Sequence, residues 1–273
     1  MSMNYSSPTL ITFDGEARSG KGTIVQKTKD HLRDVCGQSV MLIDRGQAFR
    51  VLVVAALRAG VDLDQPAQID EFLVEPQNIA DCLRLVKNVY HMEKNERDGL
   101  IYTNKVGEHS AKIGARPLSQ AFVADLTKTW LHDAGSEGYD VVLIDGRALE
   151  HIATEMDAEG LCQYRMGLYF VCEPRVGARR TLGVADRSYD QLTDAQQEEV
   201  TALVAQIQER NKRDKEREVE RLIPPTDAKT YQLPDVPHRL PDDVRPMYII
   251  DTSAELGKSE MSLLVAQLCA KIL

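Results

Sequence analysis

No two of the five cysteines (Cys36, Cys82, Cys162, Cys172 and Cys269) stand in a CxxC pair. Such scatter fits neither a structural zinc site nor a disulfide framework, and it suits a reducing, cytoplasmic setting. The six histidines form no metal-ligand spacing. No apolar run approaches the roughly 18 residues of a membrane span, and the opening MSMNYSSP has no basic segment ahead of an apolar core. Neither a membrane partner nor a secretory signal is therefore expected. Aromatic residues are only 5% of the chain and do not alternate with basic ones. With a formal net charge of −9 and a pI near 5.3, this argues against nucleic-acid partners, while leaving room for a local basic pocket that takes a small phosphate. Ser19 and Thr23 have no accompanying His/Asp signature, so acyl transfer has no support.

What is present begins with residues 10–23, LITFDGEARSGKGT. An apolar run meets a turn at Asp14-Gly15, a loop follows, and Gly20-Lys21-Gly22-Thr23 opens an amphipathic stretch. Strand, glycine-punctuated loop and helix start are the parts of a phosphate-binding loop. In such a loop backbone N–H groups converge on phosphate oxygens, and the helix N-terminus adds partial positive charge. Gly15, Arg18, Ser19, Gly20, Lys21, Gly22 and Thr23 are the expected nucleotide contacts, with Lys21 as the mobile cation on the β/γ-phosphates. The strict pattern wants Ser or Thr directly after the lysine; here Gly22 intervenes before Thr23.

Further apolar runs at 39–43, 139–144, 165–172 and 247–250 predict, with 9–13, a parallel five-stranded sheet. The stretches 24–35, 47–59, 117–134 and 255–272 read as its helices, and Pro174 opens another. Residues 61–116 lack a buried strand and read as an inserted, mostly surface subdomain, with 80–96 helical. Residues 188–221 read as a long charged helical region. Six of the eleven prolines fall in 224–246, predicting an extended loop. Parallel sheets bind ligands at the carboxyl ends of their strands, which selects loops 14–23, 44–50, 145–150 and 173–180. In that place Asp145 either orients magnesium or simply closes an Asp-Gly turn. Arg50, a turn into its helix, either holds a substrate phosphate or stands on a helix surface. Arg210, Arg213, Arg217 and Arg221 are spaced three, four and four apart and would form one helical stripe. The run is either a solvated, salt-bridged helix or a lid whose arginines stabilise a migrating phosphoryl group.

Several of these stretches together resemble one family, the bacterial-type cytidylate kinases among the P-loop nucleoside monophosphate kinases. ITFDGEARSGKGT resembles the family's phosphate loop, and residues 44–50, DRGQAFR, its Asp-Ser/Thr-Gly-Ala-hydrophobe-Tyr-Arg segment. Asp145-Gly146-Arg147 resembles Asp-Gly-Arg-Asp, and residues 207–217, IQERNKRDKER, a lid of Glu-Arg-Asp-x-Arg-Asp-x-x-Arg type. The resemblance implies a single P-loop kinase domain over 1–273, with an acceptor-binding subdomain at 61–116 and an arginine-rich lid at 188–223. It implies transfer of the ATP γ-phosphoryl group to a nucleoside monophosphate, CMP or dCMP first, without a covalent intermediate. Lys21, Asp145, Arg210, Arg213 and Asp214 would be catalytic. Asp44, Arg50, Ser110, Arg147, Arg210, Asp214 and Arg217 would hold the acceptor, and Arg180 or Arg179 would reach ATP. Magnesium would lie near Thr23 and Asp145 with no dedicated protein cage. A small nucleotide acceptor is the only partner implied, in a monomer or small homo-oligomer.

The departures from the family concentrate at two places. Arg18 replaces a small residue, commonly Gly, inside the phosphate loop. At the base-reading positions Arg45 replaces Ser/Thr, Ala148 replaces Asp, and Ser119 or Gln120 falls where an arginine is expected. Groups binding ATP and phosphate persist while groups reading the nucleobase do not. The chain is then a CMP kinase, a kinase of this fold with another acceptor, or a catalytically weak nucleotide-binding regulator.

Overall fold

The computed structural model describes residues 7–217, 220–236, 247–254 and 256–273. The chain divides into two compact units, one formed by Met1–Ile43 with Leu131–Leu273, the other by Asp44–Trp130.

In chain order the elements are β1 (Thr9–Gly15), α1 (Lys21–Asp34), β2 (Val40–Asp44), α2 (Arg45–Arg58), α3 (Pro66–Val74), α4 (Pro76–His91), α5 (Lys94–Ile101), α6 (Asn104–Gly114) and α7 (Pro117–Glu137). β3 (Val141–Asp145), α8 (Leu149–Ala158), β4 (Gln163–Val171), α9 (Pro174–Thr181), α10 (Asp194–Glu216), β5 (Lys229–Gln232), β6 (Met247–Asp251) and α11 (Lys258–Ala270) follow.

The first unit is built on a sheet of order β2-β3-β1-β4-β6-β5, in which β1 runs parallel to β3 and β4, and β6 parallel to β4 and β5. Apolar runs in the middle of a sheet are what burial on both faces requires. Leu10, Ile11 and Phe13 of β1 are fully buried, as are Val141 to Ile144 of β3. One face packs Ile11, Phe13, Met166, Leu168 and Phe170 against Ile24, Val25 and Leu32 of α1 and Met261, Val265 and Leu268 of α11.

The sheet has six strands where the sequence pattern predicts five. β5 lies inside the stretch read as a proline-rich loop, whose residues 237–246 are outside the described residues. KTYQ is too short and polar to show an apolar run. As an edge strand it needs only one partner, β6, and Tyr231 packs edge-on against Tyr248 at 5.4 Å. α8 also goes unread in the sequence, although Leu149, Ile152, Ala153 and Met156 occupy its buried face at helical spacing. The long charged helix stops at Glu216 rather than 221: Arg217 is extended, with φ −62° and ψ 152°, and the carbonyl of Asp214 accepts the N–H of Leu222 at 2.8 Å. Arg217 and Arg221 therefore lie off the helix that carries Arg210 and Arg213, and the four do not form one helical stripe.

The second unit is all helical. Prolines open α3 and α4, where a missing N–H costs nothing. Most side chains of 61–116 are exposed, as the sequence predicts, but Ile69, Phe72, Cys82, Val86, Val89, Ile101 and Ile113 turn inward and pack with Val51, Leu52 and Val123 in a core of this unit.

A close approach of two backbones sits where β1 ends. Gly15 has φ 137°, and a Cβ there would lie 2.3 Å from the carbonyl oxygen of Phe170. Replacing Gly15 with Ala is expected to cost about 3 kcal/mol or more, since neither backbone can yield without breaking the β1–β4 ladder. Gly37→Ala, with φ 71° but open space around it, should cost only about 1 kcal/mol. Urea unfolding of the two variants measures the difference.

Candidate active site

At the carboxyl end of β1 the chain turns through a loop shaped from both sides. The N–H of Glu16 donates to the carbonyl of Phe170 at 2.8 Å. The Ser19 hydroxyl donates to the Glu16 carbonyl at 2.9 Å, and the Ser19 carbonyl accepts from the Thr252 hydroxyl at 2.8 Å. Gly20, with φ 85°, caps α1. A Cβ added at Gly20 or Gly22 would meet nothing within 4 Å, so the loop is open on the side where its glycines lie. Thr23 is exposed in the first turn of α1. This open cradle fits a phosphate group.

Lys21 crosses from α1 to the end of β3. Its ammonium pairs with the Asp145 carboxylate and donates to the carbonyls of Gly146 at 2.7 Å and Phe13 at 3.3 Å. Arg147 donates to the Gly15 carbonyl, and its Nε lies 3.1 Å from the Asp214 carboxylate. Arg210, one helical turn before Asp214, reaches the same carboxylate at 3.9 Å. Arg217 is half-buried and donates through Nε to the Glu220 carbonyl at 2.5 Å. Burial pulls its pKa below the ordinary value, Asp214 and Glu220 oppose that shift, and the like charge of Arg147 adds to it. Among the described residues its buried Nη2 has no hydrogen-bond partner. Six sequence-predicted residues thus meet in one place: Lys21, Asp145, Arg147, Arg210, Asp214 and Arg217. Arg213 stands exposed near the end of α10.

Asp14 belongs to this cluster and has no role assigned in the sequence reading beyond a turn. Its carboxylate accepts the N–H of Gly15 at 2.7 Å and of Leu149 at 2.9 Å, tying the phosphate loop to the start of α8. Burial raises its pKa, against the charge of Lys21, the two N–H donors and Arg147. Arg180, expected to reach ATP, instead donates to the carbonyls of Thr252 at 2.6 Å and Ala254 at 2.5 Å. Arg179 donates to the carbonyls of Ala185, at 2.9 Å, and Arg187. Both guanidinium groups hold loops in this structure.

In the helical unit, Asp44 caps α2 by accepting the N–H of Gln47 at 2.9 Å, and its other oxygen accepts the Tyr102 hydroxyl at 3.3 Å. Burial, with the Asp44 charge adding, pushes the Tyr102 phenol up to about 12. Arg50 lies over the Tyr102 ring, 4.7 Å from its centre, and donates to the Ile101 carbonyl at 3.3 Å. Ser110 donates to the Gly107 carbonyl at 2.8 Å, so its hydroxyl hydrogen is committed to its own helix. Tyr102 is the residue that organises Asp44 and Arg50, and no motif marks it. Of the base-reading positions, Arg45 is only 2% exposed, Ser119 and Gln120 are buried, and Ala148 sits in the left-handed region at φ 53°.

Among the described residues no group of three or more His, Cys, Asp or Glu side chains could hold a metal by itself. The Thr23 hydroxyl and the Asp145 carboxylate are oxygen donors of the kind magnesium takes, and two alone would leave most of its coordination to phosphate oxygens or water.

Arg18 keeps the loop's backbone in glycine's territory, at φ 60°, with its side chain exposed. Its carbonyl faces Gly177 of α9 so closely that a Cβ there would lie 2.9 Å away. A left-handed arginine costs on the order of 1–2 kcal/mol, part of which the stiffer unfolded chain offsets. Arg18→Gly should therefore raise stability by about 0.5–1 kcal/mol, seen as a melting temperature higher by about 1–3 °C; a lower one would mean that the arginine side chain stabilises the loop.

Comparison with known proteins places the chain in a family. The cytidylate kinase family model matches residues 11–232. The chain is 26% identical over 226 residues to a cytidylate kinase of Shewanella amazonensis, covering 80% of this chain and 84% of that protein. It is 24% identical over 222 residues to a cytidylate kinase of Bradyrhizobium diazoefficiens (80% and 85%), and 27% identical over 223 residues to one of Aeromonas hydrophila (80% and 84%). With its phosphate loop, Asp-Gly-Arg turn and arginine-bearing helix inside the matched span, the chain belongs to the cytidylate kinase family.

Proposed function

We propose that this ATP-dependent nucleoside monophosphate kinase transfers the γ-phosphoryl group of ATP to CMP or dCMP. The observation that carries the reading is the convergence of Lys21, Asp145, Arg147, Asp214 and Arg217 beside an open glycine cradle. One P–O bond to the γ-phosphorus breaks and one to an acceptor phosphate oxygen forms, so no side chain need serve as nucleophile.

The residues' tasks follow from charge and geometry. Lys21 exchanges its Asp145 partner for phosphate oxygens of the donor, and the residues that would hold a magnesium ion accompanying them are Asp145 and Thr23. That ion would supply charge neutralisation on the phosphates. Arg147 and Arg217, held near Asp214, supply planar cations to the phosphoryl group, and Arg210 and Arg213 add theirs from α10. Asp214 keeps mutually repelling guanidinium groups together. Arg50, held by Tyr102, takes the acceptor's phosphate.

A second acceptor is favoured by Arg45 and Ala148. A buried guanidinium and a methyl group stand where a hydroxyl and a carboxylate would read cytosine. Incubation with ATP, magnesium and a panel of nucleoside monophosphates, following ADP release, decides the matter. Turnover with CMP or dCMP is expected. Turnover only with a different monophosphate would establish the second reading, and ATP binding with no turnover on any acceptor would overturn both. Lys21→Met should lower kcat by at least about 100-fold. Arg50→Ala should raise the KM for the acceptor about tenfold or more while leaving the KM for ATP within a few-fold.

A further inference from the structure

α10 is anchored to its unit in two different ways along its length. Its first part buries Val200 and Ile207 in a cluster with Ala178 of α9, Val184 and Leu192. Between Ile207 and Leu222 no apolar side chain among the described residues is buried. That stretch, which bears Arg210, Arg213 and Asp214, meets the rest of the unit through polar contacts. The Asn211 side-chain oxygen accepts the N–H of Ala17 at 2.8 Å, and Asn211 is only 7% exposed. Lys215, one turn on, pairs with Glu16 at 2.8 Å. Two residues at i and i+4 on one helix thus grip two consecutive residues of the phosphate loop.

We infer that Asn211 and Lys215 are positioning residues: they clasp the phosphate loop and so set where the arginines of α10 stand relative to a bound nucleotide. This rests on the kinase reading above. The Ala17 N–H is a backbone donor of the loop that α10 engages. A neutral acceptor satisfies it, and Lys215 balances the carboxylate of Glu16 beside the phosphates. Displacing reacting groups by about 1 Å costs on the order of 100-fold in rate, so a device that fixes them acts on kcat more than on binding.

Steady-state kinetics and hydrogen–deuterium exchange on the full chain test this with Asn211→Ala, Asn211→Asp, Lys215→Glu, Glu16→Lys and the last two combined. Asn211→Ala is expected to lower kcat by about 10- to 100-fold with the KM for ATP within about threefold. Asn211→Asp keeps an acceptor oxygen and should hold kcat within about threefold of the parent. Lys215→Glu alone should lower kcat, and the charge-reversed pair should recover most of the loss. Exchange at the Ala17 amide and across residues 207–216 should quicken in Asn211→Ala and Lys215→Glu. A parental kcat in Asn211→Ala, or single and double charge variants that are equally slow, would overturn the clasp while leaving the kinase reading intact. Should the parent protein turn over no monophosphate, the kinase reading fails, and exchange still decides: unchanged rates in both variants would overturn the clasp, and faster rates would support it.

Discussion

The active-site architecture depends on how closely β1 approaches β4 at its carboxyl end. At Gly15 the gap is smaller than a methyl group, and the N–H of Glu16 completes a bond to Phe170 just beyond it. A strand pinned there must turn at once, so the loop leaves in a fixed direction and returns at Lys21 above the end of β3. Because β1 lies between β3 and β4 in the sheet, that return brings the lysine to Asp145 and brings Arg147 to the Gly15 carbonyl. The charges of the site are therefore placed by backbone packing as well as by their own pairing.

Much of this was legible in the residues. Buried parallel strands are apolar along their whole length, and five stretches announced themselves that way. The phosphate loop was legible because its path demands glycine at Gly15, where neither the angle nor the neighbouring strand leaves room for a side chain, and at Gly20, where the positive φ favours it. β5 escaped because an edge strand of four residues needs no apolar pattern. The end of α10 escaped because charge spacing continues smoothly through Arg217, whereas the helix ends where the Asp214 carbonyl finds Leu222. Asn211, Asp14 and Tyr102 were invisible for a common reason: each acts through a partner far away in sequence or in an unmarked helix, and spacing carries no trace of it.

The two units divide the electrostatic work. In the first, two carboxylates stand among the cations (Lys21 with Asp145, Arg147 and Arg210 with Asp214), so the positive charge of the cluster is only partly offset. Half-buried Arg217 is the strained member, since burial and Arg147 both disfavour its charge. In the second, Asp44, Tyr102 and Arg50 form a chain in which an aromatic ring, rather than a carboxylate, faces the guanidinium. A cation held by a ring keeps more of its charge available to an incoming anion than one neutralised by an acid.

The pair of Lys21 and Asp145 also makes the two charges rivals. Each occupies the other's binding capacity, so an anion that draws the lysine away leaves the carboxylate free for a cation. The reverse holds equally: a cation settling on Asp145 releases Lys21. Anion and cation uptake at this point are therefore linked with positive cooperativity, and the factor by which one strengthens the other is the same in both directions.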